Sequence, residues 1–369
     1  MRGLYVHIPF CARKCAYCDF YSVPDRLDLI DAYIDAVLVE AGAYAGLSFH
    51  TLYLGGGTPS LLGARALRKL VTRLGHAFDM SDLVEATIEV NPESASVRLL
   101  EVAREVGIDR VSIGVQSLSD RELKRVGRGH TAAQAIRAIV RARRTGFSSI
   151  SADVIVGLPG QEWGTLCATL EALTSLGIDH ISLYCLSLED GTPLALNPPD
   201  DLPSDDVQAE LFEQAREFLE DGGFSHYEIS NFALPGCECQ HNVNYWRGGE
   251  YLGLGAAASS HLHGRRFNNN ADLEGYIRDP TSLAEEAEEL DARRKAAEEA
   301  MLRLRLLSEG VVGKELARRF GPTNTADLVG RLHEMVGEGL LTFDGSAYRL
   351  ARSKVLISNP IFARVLGDT

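Results

Sequence analysis

Leu4-Tyr5-Val6-His7-Ile8-Pro9-Phe10-Cys11-Ala12-Arg13-Lys14-Cys15-Ala16-Tyr17-Cys18 joins an apolar, strand-forming run to three cysteines at CxxxCxxC spacing. Tyr, Val and Ile favour extended backbone, and Pro9 ends the run. Three thiolates on one tight loop can hold three corners of a cubane iron–sulfur cluster, whereas clusters are ordinarily held by four. A loop that offers three leaves one iron open to a small molecule. Structural zinc would close its shell with a fourth Cys or His, and the nearest histidine, His7, sits inside the apparent strand. No secretory signal opens the sequence, so a disulfide framework is not expected and a reducing, cytoplasmic setting is.

Working outward, the same phrase recurs to about residue 190. A short β-rich run ends in polar or glycine residues, and an amphipathic stretch follows. The runs are Leu4–Ile8, Thr51–Leu54, Ala86–Val90, Arg110–Val115, Ala152–Val156 and His180–Leu186. Between the first two, Ile30, Ile34, Val37, Leu38 and Ala41 form one apolar helical stripe. Strand–helix alternation predicts parallel β/α units wound in one hand. Six units fall short of the eight of a closed barrel, so the expected α/β fold is a partial (β/α)6 barrel with an open side.

In parallel α/β folds the C-terminal strand ends face the ligand. Here those ends carry the cysteines, Gly55-Gly56-Gly57-Thr58-Pro59, Glu89, Gln116, Asp153 and Ser187. Each could be a cap or a turn residue; together they favour a site. The glycine run lacks the Gly-Lys-Ser/Thr of a P-loop. Its freedom suits a backbone that approaches a ligand closely. An open iron can chelate an amino acid through its amino and carboxylate groups. If that amino acid is the methionyl part of S-adenosylmethionine, the glycine run is placed to bond its amino group. Such cofactors carry the hard chemistry while the protein supplies position and dryness.

The charge of −14 opposes general binding to nucleic-acid phosphates. Arg141, Arg143 and Arg144 read as the solvated face of a helix, and no apolar run is long enough to span a bilayer. Residues 1–200 read as the barrel core, 201–290 as an extension and connector, and 291–369 as a smaller domain. The extension opens with a helix from about Ser204 to Asp221, and the acidic Glu285–Glu289 begins the connector. In the last part, helices at Val312–Phe320 and Ala326–Glu338 precede strands at Leu340–Phe343 and Ala347–Leu350 about the turn Asp344-Gly345-Ser346. That order is winged-helix-like. Cys167 and Cys185 read as buried, small apolar residues.

CxxxCxxC with Tyr17 before its last Cys, followed by GGGTP, resembles the radical S-adenosylmethionine superfamily. Tyr5-Val6-His7-Ile8-Pro9-Phe10-Cys11, Ile113-Gly114-Val115-Gln116 and Asp153-Val154-Ile155-Val156-Gly157-Leu158-Pro159 are similar to its oxygen-independent coproporphyrinogen III oxidase group, HemN and its relatives. The resemblance implies that Cys11, Cys15 and Cys18 ligate a 4Fe-4S cluster. Tyr5, Gly56 and Glu89 would hold the cluster-bound S-adenosylmethionine. Tyr17, Gly57, Thr58, Gln116, Arg128, Asp153 and the Ser187 backbone match positions that hold a second such molecule in the oxidase.

Phe20 stands where the oxidase has a further Cys, and the oxidase's long N-terminal extension has no counterpart here. Cys18-Asp19-Phe20 and Ser358-Asn359-Pro360-Ile361-Phe362 instead resemble the HemW haem-chaperone branch. So does His241-Asn242-Val243-Asn244-Tyr245-Trp246, an HNxxYW phrase. A neutral imidazole is a common axial haem ligand, and Tyr and Trp can line the flat macrocycle. His241, Asn242, Tyr245 and Trp246 are therefore the expected haem-binding residues, and a satisfied core histidine is the alternative. His261, His263, Cys237 and Cys239 are further candidate ligands. The branch implies haem as cargo, apo-haemoproteins (respiratory ones among them) as recipients, and an electron donor such as a flavodoxin or ferredoxin. It also implies peripheral membrane contact and a homodimer. The oxidase resemblance keeps a second expectation open, radical decarboxylation of coproporphyrinogen III.

Overall fold

The computed structural model describes residues 1–282 and 290–367. The acidic stretch Glu285–Glu289, expected to begin the connector, lies outside the described residues. All six anticipated strands form: β1 (Arg2–Ile8), β2 (Thr51–Gly56), β3 (Glu85–Val90), β4 (Arg110–Gln116), β5 (Ser149–Val156) and β6 (His180–Cys185). Each pairs in parallel with the next. The helices α1 (Ile30–Ala43), α2 (Gly63–Ala77), α3 (Val97–Glu105), α4 (Ala132–Thr145) and α5 (Trp163–Ser175) alternate with them. Their apolar faces explain the layering: Ile34, Val37 and Ala41 of α1 and Leu67, Leu70 and Leu74 of α2 are fully buried in one core with the strands. Local chemistry sets the helix ends. A Thr131/Gln134 capping box starts α4, and Gly146, in the left-handed region, stops it.

The six-strand arc is longer than anticipated at both edges. After α6 (Asp205–Asp221), capped by Ser204, the short strands β7 (Ser225–Glu228) and β8 (Asn231–Ala233) add antiparallel beyond β6. Next come α7 (Gln240–Trp246) and β9 (Glu250–Leu254), with β10 (Ser259–Leu262) and β11 (Arg265–Asn268) beyond. β9 lies parallel to β1, pairing Arg2 with Glu250 and Val6 with Leu254. The sheet order is β11-β10-β9-β1-β2-β3-β4-β5-β6-β8-β7. One buried carboxylate ties the added edge to the barrel. Glu40 of α1 accepts from Gly255 N (2.9 Å), Asn269 Nδ2 (2.6 Å) and Tyr276 Oη (2.5 Å).

The remaining described chain builds a second apolar cluster. It contains α8 (Ala292–Arg303), α9 (Gly313–Phe320), α10 (Pro322–Gly337), the β12 (Leu341–Phe343)–β13 (Tyr348–Leu350) hairpin and α11 (Ser358–Leu366). This is the winged-helix-like unit; α10 begins earlier than its apolar pattern implied, because Pro322 suits the first helical position. Among the described residues no helix is long and apolar enough to cross a membrane.

At the N-terminal ends of the strands, α7 closes the base of the arc. Glu85, at the start of β3, accepts from the backbone N–H of Gln240 (2.9 Å) and of His241 (3.1 Å), and from Cys239 Sγ (3.4 Å). These are donors that a helix N-terminus leaves free. The buried Arg110 lies beside this carboxylate. Glu85→Ala should therefore strand both the helix donors and a buried cation, costing about 3 kcal/mol. Urea unfolding followed by circular dichroism measures it, and a loss below about 1 kcal/mol would mean that the plug is held otherwise.

Candidate functional site

A cavity of about 300 Å3 opens at the C-terminal ends of the strands. Cys11, Cys15 and Cys18 line it, all as free thiols. So do Gly56, Gly57, Thr58 and Glu89 from the next two strand ends. Gln116, Arg128, Asp153, Tyr17 and Ser187 complete the set expected there. Tyr5 is the exception. It lines a different cleft, and its hydroxyl bonds His7 Nδ1 at 2.9 Å.

The glycine run is explained by contact. Gly56 has φ +107°, and a Cβ there would meet the His7 ring at 2.5 Å. At Gly57 a Cβ would strike Phe10 O at 2.7 Å, while its N–H donates to Ile8 O at 2.9 Å. The run thus packs against the strand that leads into the cysteine loop. Gln116 is a buried non-glycine residue at φ +64°, a conformation that side chains rarely adopt and that marks a site wall held by its surroundings.

Glu89 is the wall's carboxylate. It accepts from Tyr53 Oη (2.7 Å) and Gly56 N (3.2 Å). Burial pushes its carboxyl up to about 7 despite those two bonds, and nearby Asp153 adds to the effect. Asp153, which accepts from Ser112 Oγ at 3.0 Å, is also raised, chiefly by burial. Such carboxylates are poised for a cationic guest. Arg128 is spread over three partners: Asn91 Oδ1 and Gly114 O, both at 2.7 Å, and Cys15 Sγ at 3.6 Å. Asn91 Nδ2 in turn donates to Thr58 Oγ1, which lies 3.5 Å from Cys11 Sγ.

These residues fit a 4Fe-4S cluster with S-adenosylmethionine. Arg128 beside Cys15 places a positive charge against the loop that would hold an anionic cluster. Burial, the main influence on Cys18, pushes its thiol up, a cost that ligation reverses because a coordinated thiol is deprotonated. Among the described residues no three His, Cys, Asp or Glu side chains converge as the shell of one ion. A cubane sets its three thiolates on three different irons and needs no such convergence.

The HNxxYW segment lies elsewhere, as α7 at the base of the arc. His241 is buried with both ring nitrogens engaged: Nδ1 is 2.8 Å from Thr51 Oγ1 and Nε2 is 2.7 Å from Tyr245 Oη. Burial first, then Arg110, lowers it to about 3, so the imidazole is neutral. Asn242 is half-buried on the same helix. Tyr245 and Trp246 line the aromatic cleft that also holds Tyr5.

Two cysteines differ from expectation. Cys167 is only half-buried, with Sγ 3.7 Å from Glu171, because its helix turns that face towards solvent. Cys185 is half-buried because it lines the cluster-side cavity. Tyr53 was not anticipated. Its signal was the alternation of β2, which sends Tyr53 to the same face as Thr51.

The sequence profile of the Radical SAM superfamily matches residues 5–173. The Lactococcus lactis protein named heme chaperone HemW is 34% identical over 368 residues, covering 99% of this chain and 97% of the relative. Escherichia coli heme chaperone HemW is 33% identical, covering 99% and 98%. Among solved structures, the coproporphyrinogen III oxidase (HemN) from Escherichia coli superposes with a TM-score of 0.85 at 24% identity, covering 99% of this chain and 89% of that one. That likeness supports the fold.

Two outcomes test the site. Cys15→Ala should abolish the broad visible absorbance of an anaerobically reconstituted cluster and lower bound iron, while circular dichroism stays unchanged. In cluster-loaded protein, affinity for S-adenosylmethionine should rise as pH increases through about 7, since ionised Glu89 is the form that accepts a hydrogen bond from the iron-bound methionyl amine. Glu89→Gln should flatten that profile in calorimetric titrations, and a slope kept by the variant would assign the titration to another group.

Proposed function

Since the chain belongs to the HemW family of the radical S-adenosylmethionine superfamily, we propose that it is a haem chaperone, which binds haem and delivers it to apo-haemoproteins. The observation that carries this reading is full-length identity of about one third to proteins named heme chaperone. The HNxxYW segment supports it by giving Tyr245 and Trp246 to an aromatic cleft of about 560 Å3, within the ~300–1,000 Å3 of clefts that take small molecules.

In this reading Cys11, Cys15 and Cys18 hold the cluster. Glu89 and the Gly56 backbone receive the methionyl end of S-adenosylmethionine, and Tyr5 supports that wall from behind through His7. When bound, the pair supplies one-electron redox chemistry. Thr58, Gln116, Arg128, Asp153, Tyr17, Gly57 and Ser187 form the rest of the cavity and keep it polar. His241 holds Tyr245 by the Nε2–Oη bond, so it orients a wall of the haem cleft. The free thiols suit a cytoplasmic setting. Respiratory apo-proteins are the proposed recipients, reached by peripheral membrane contact and by a homodimer, with a flavodoxin or ferredoxin as electron donor.

The competing enzyme reading, radical decarboxylation of coproporphyrinogen III, is favoured by the shared fold. It is disfavoured at Phe20, 65% exposed at the cavity's edge where the oxidase has a cysteine. Titration of the reconstituted protein with haemin should give saturable binding near one haem per chain. His241→Ala should weaken it by about tenfold, the equivalent of one lost bond to a buried group. The same sample should form no protoporphyrinogen from coproporphyrinogen III. Product formed in step with S-adenosylmethionine consumption, without haem binding, would establish the oxidase instead.

A further inference from the structure

Resting on the haem-chaperone reading, we infer that the protein binds haem iron through His261 in the aromatic cleft between the β9–β10 edge and α8. The cleft, about 560 Å3, is lined by Tyr245, Trp246 and Tyr251 together with His261, Met301 and Leu302. The Tyr245 and Tyr251 rings meet edge-on at 4.5 Å, and Tyr251 meets His261 at 6.2 Å. That is a wall suited to a flat macrocycle.

Choice among the histidines follows from their hydrogen bonds. His241 has both ring nitrogens engaged. His7, which also lines the cleft, uses both as well, on Tyr5 Oη and on Tyr21 O. His263 is largely exposed and does not line the cleft. His261 differs. Its Nδ1 faces Gly249 O at 3.4 Å. A carbonyl can only accept, so Nδ1 carries the proton and Nε2 keeps its lone pair, with no partner among the described residues. An imidazole whose other N–H is held by a carbonyl is the usual form of a metal ligand. Burial, followed by a smaller opposing contribution from the Gly249 bond, lowers its affinity for a second proton.

The cleft's surroundings fit the rest of haem. His261 and Arg266 also line an adjoining, charged cleft that holds Lys295 and Arg319 beside the carboxylates Glu250, Glu298 and Glu299. The apolar macrocycle would then lie among the aromatic rings with its propionates turned towards Lys295, while Arg319 is held by Glu299 at 2.6 Å. Glu298 pairs with Arg266 at 2.5 Å, so a propionate would share or displace that carboxylate. Phe20 lines both the haem cleft and the cluster-side cavity, which puts the two cofactor sites side by side on the open flank of the arc.

The test is haemin titration of the full-length, cluster-loaded protein, followed by Soret absorbance and low-temperature EPR. Wild type should show an imidazole-ligated haem spectrum. His261→Ala should lose that spectral type and bind haemin roughly tenfold or more weakly, with cluster absorbance intact, and added imidazole should restore the spectrum. His241→Ala should keep the spectral type at lower affinity. If His261→Ala retains wild-type spectrum and affinity, the ligand is elsewhere and the inference fails while the chaperone reading stands. Wild type that binds no haemin saturably overturns both.

Discussion

A parallel strand presents its C-terminal end to whatever lies above the sheet, and six such ends in one arc must open on a common cavity. This constraint organises the molecule. Cys11, Cys15 and Cys18 leave β1, Gly56 and Gly57 leave β2, Glu89 ends β3, and Gln116 ends β4. The strand ends that carry them are far apart in sequence, yet strand registry brings them to one wall. The opposite edge of the sheet obeys the complementary rule. There the buried starts of the strands need partners, and Glu85 supplies them by capping α7 and sitting beside Arg110.

The six barrel strands were legible because each is a buried β-rich run, bounded by polar residues, with an amphipathic helix after it. The cavity residues were legible for a related reason: strand ends in this architecture face the ligand. The edges were not. Ser225–Glu228, Asn231–Ala233 and Ser259–Leu262 are short and partly polar, and their pairing is imposed by neighbours rather than by their own pattern. The pairing of residue 2 with residue 250 is a long-range event that no local periodicity encodes. Likewise HNxxYW was visible as a phrase, but its burial beneath the sheet depends on Glu85 and Thr51, which are distant in sequence.

Tyr53 links the two ends of the barrel. Its hydroxyl donates to Glu89 at 2.7 Å, and its ring stacks on His241 at 5.1 Å. His241 in turn holds Tyr245 in the aromatic cleft. A guest that draws charge onto Glu89 therefore acts on a carboxylate one side chain removed from α7. In the proposed chaperone reading, this arrangement would give S-adenosylmethionine a physical route to influence haem binding without reacting with it. Burial and Arg110 keep the His241 imidazole neutral, and it packs between the rings of Tyr53 and Tyr245.

The proposed function requires a cluster gripped by only Cys11, Cys15 and Cys18. The most direct measurement is EPR of the reduced, anaerobically reconstituted protein before and after S-adenosylmethionine is added, beside iron, sulfide and zinc analysis. The account predicts a 4Fe-4S signal whose g-values shift on addition, because one iron has no side-chain ligand. A signal indifferent to S-adenosylmethionine, or zinc in place of iron and sulfide, would contradict it.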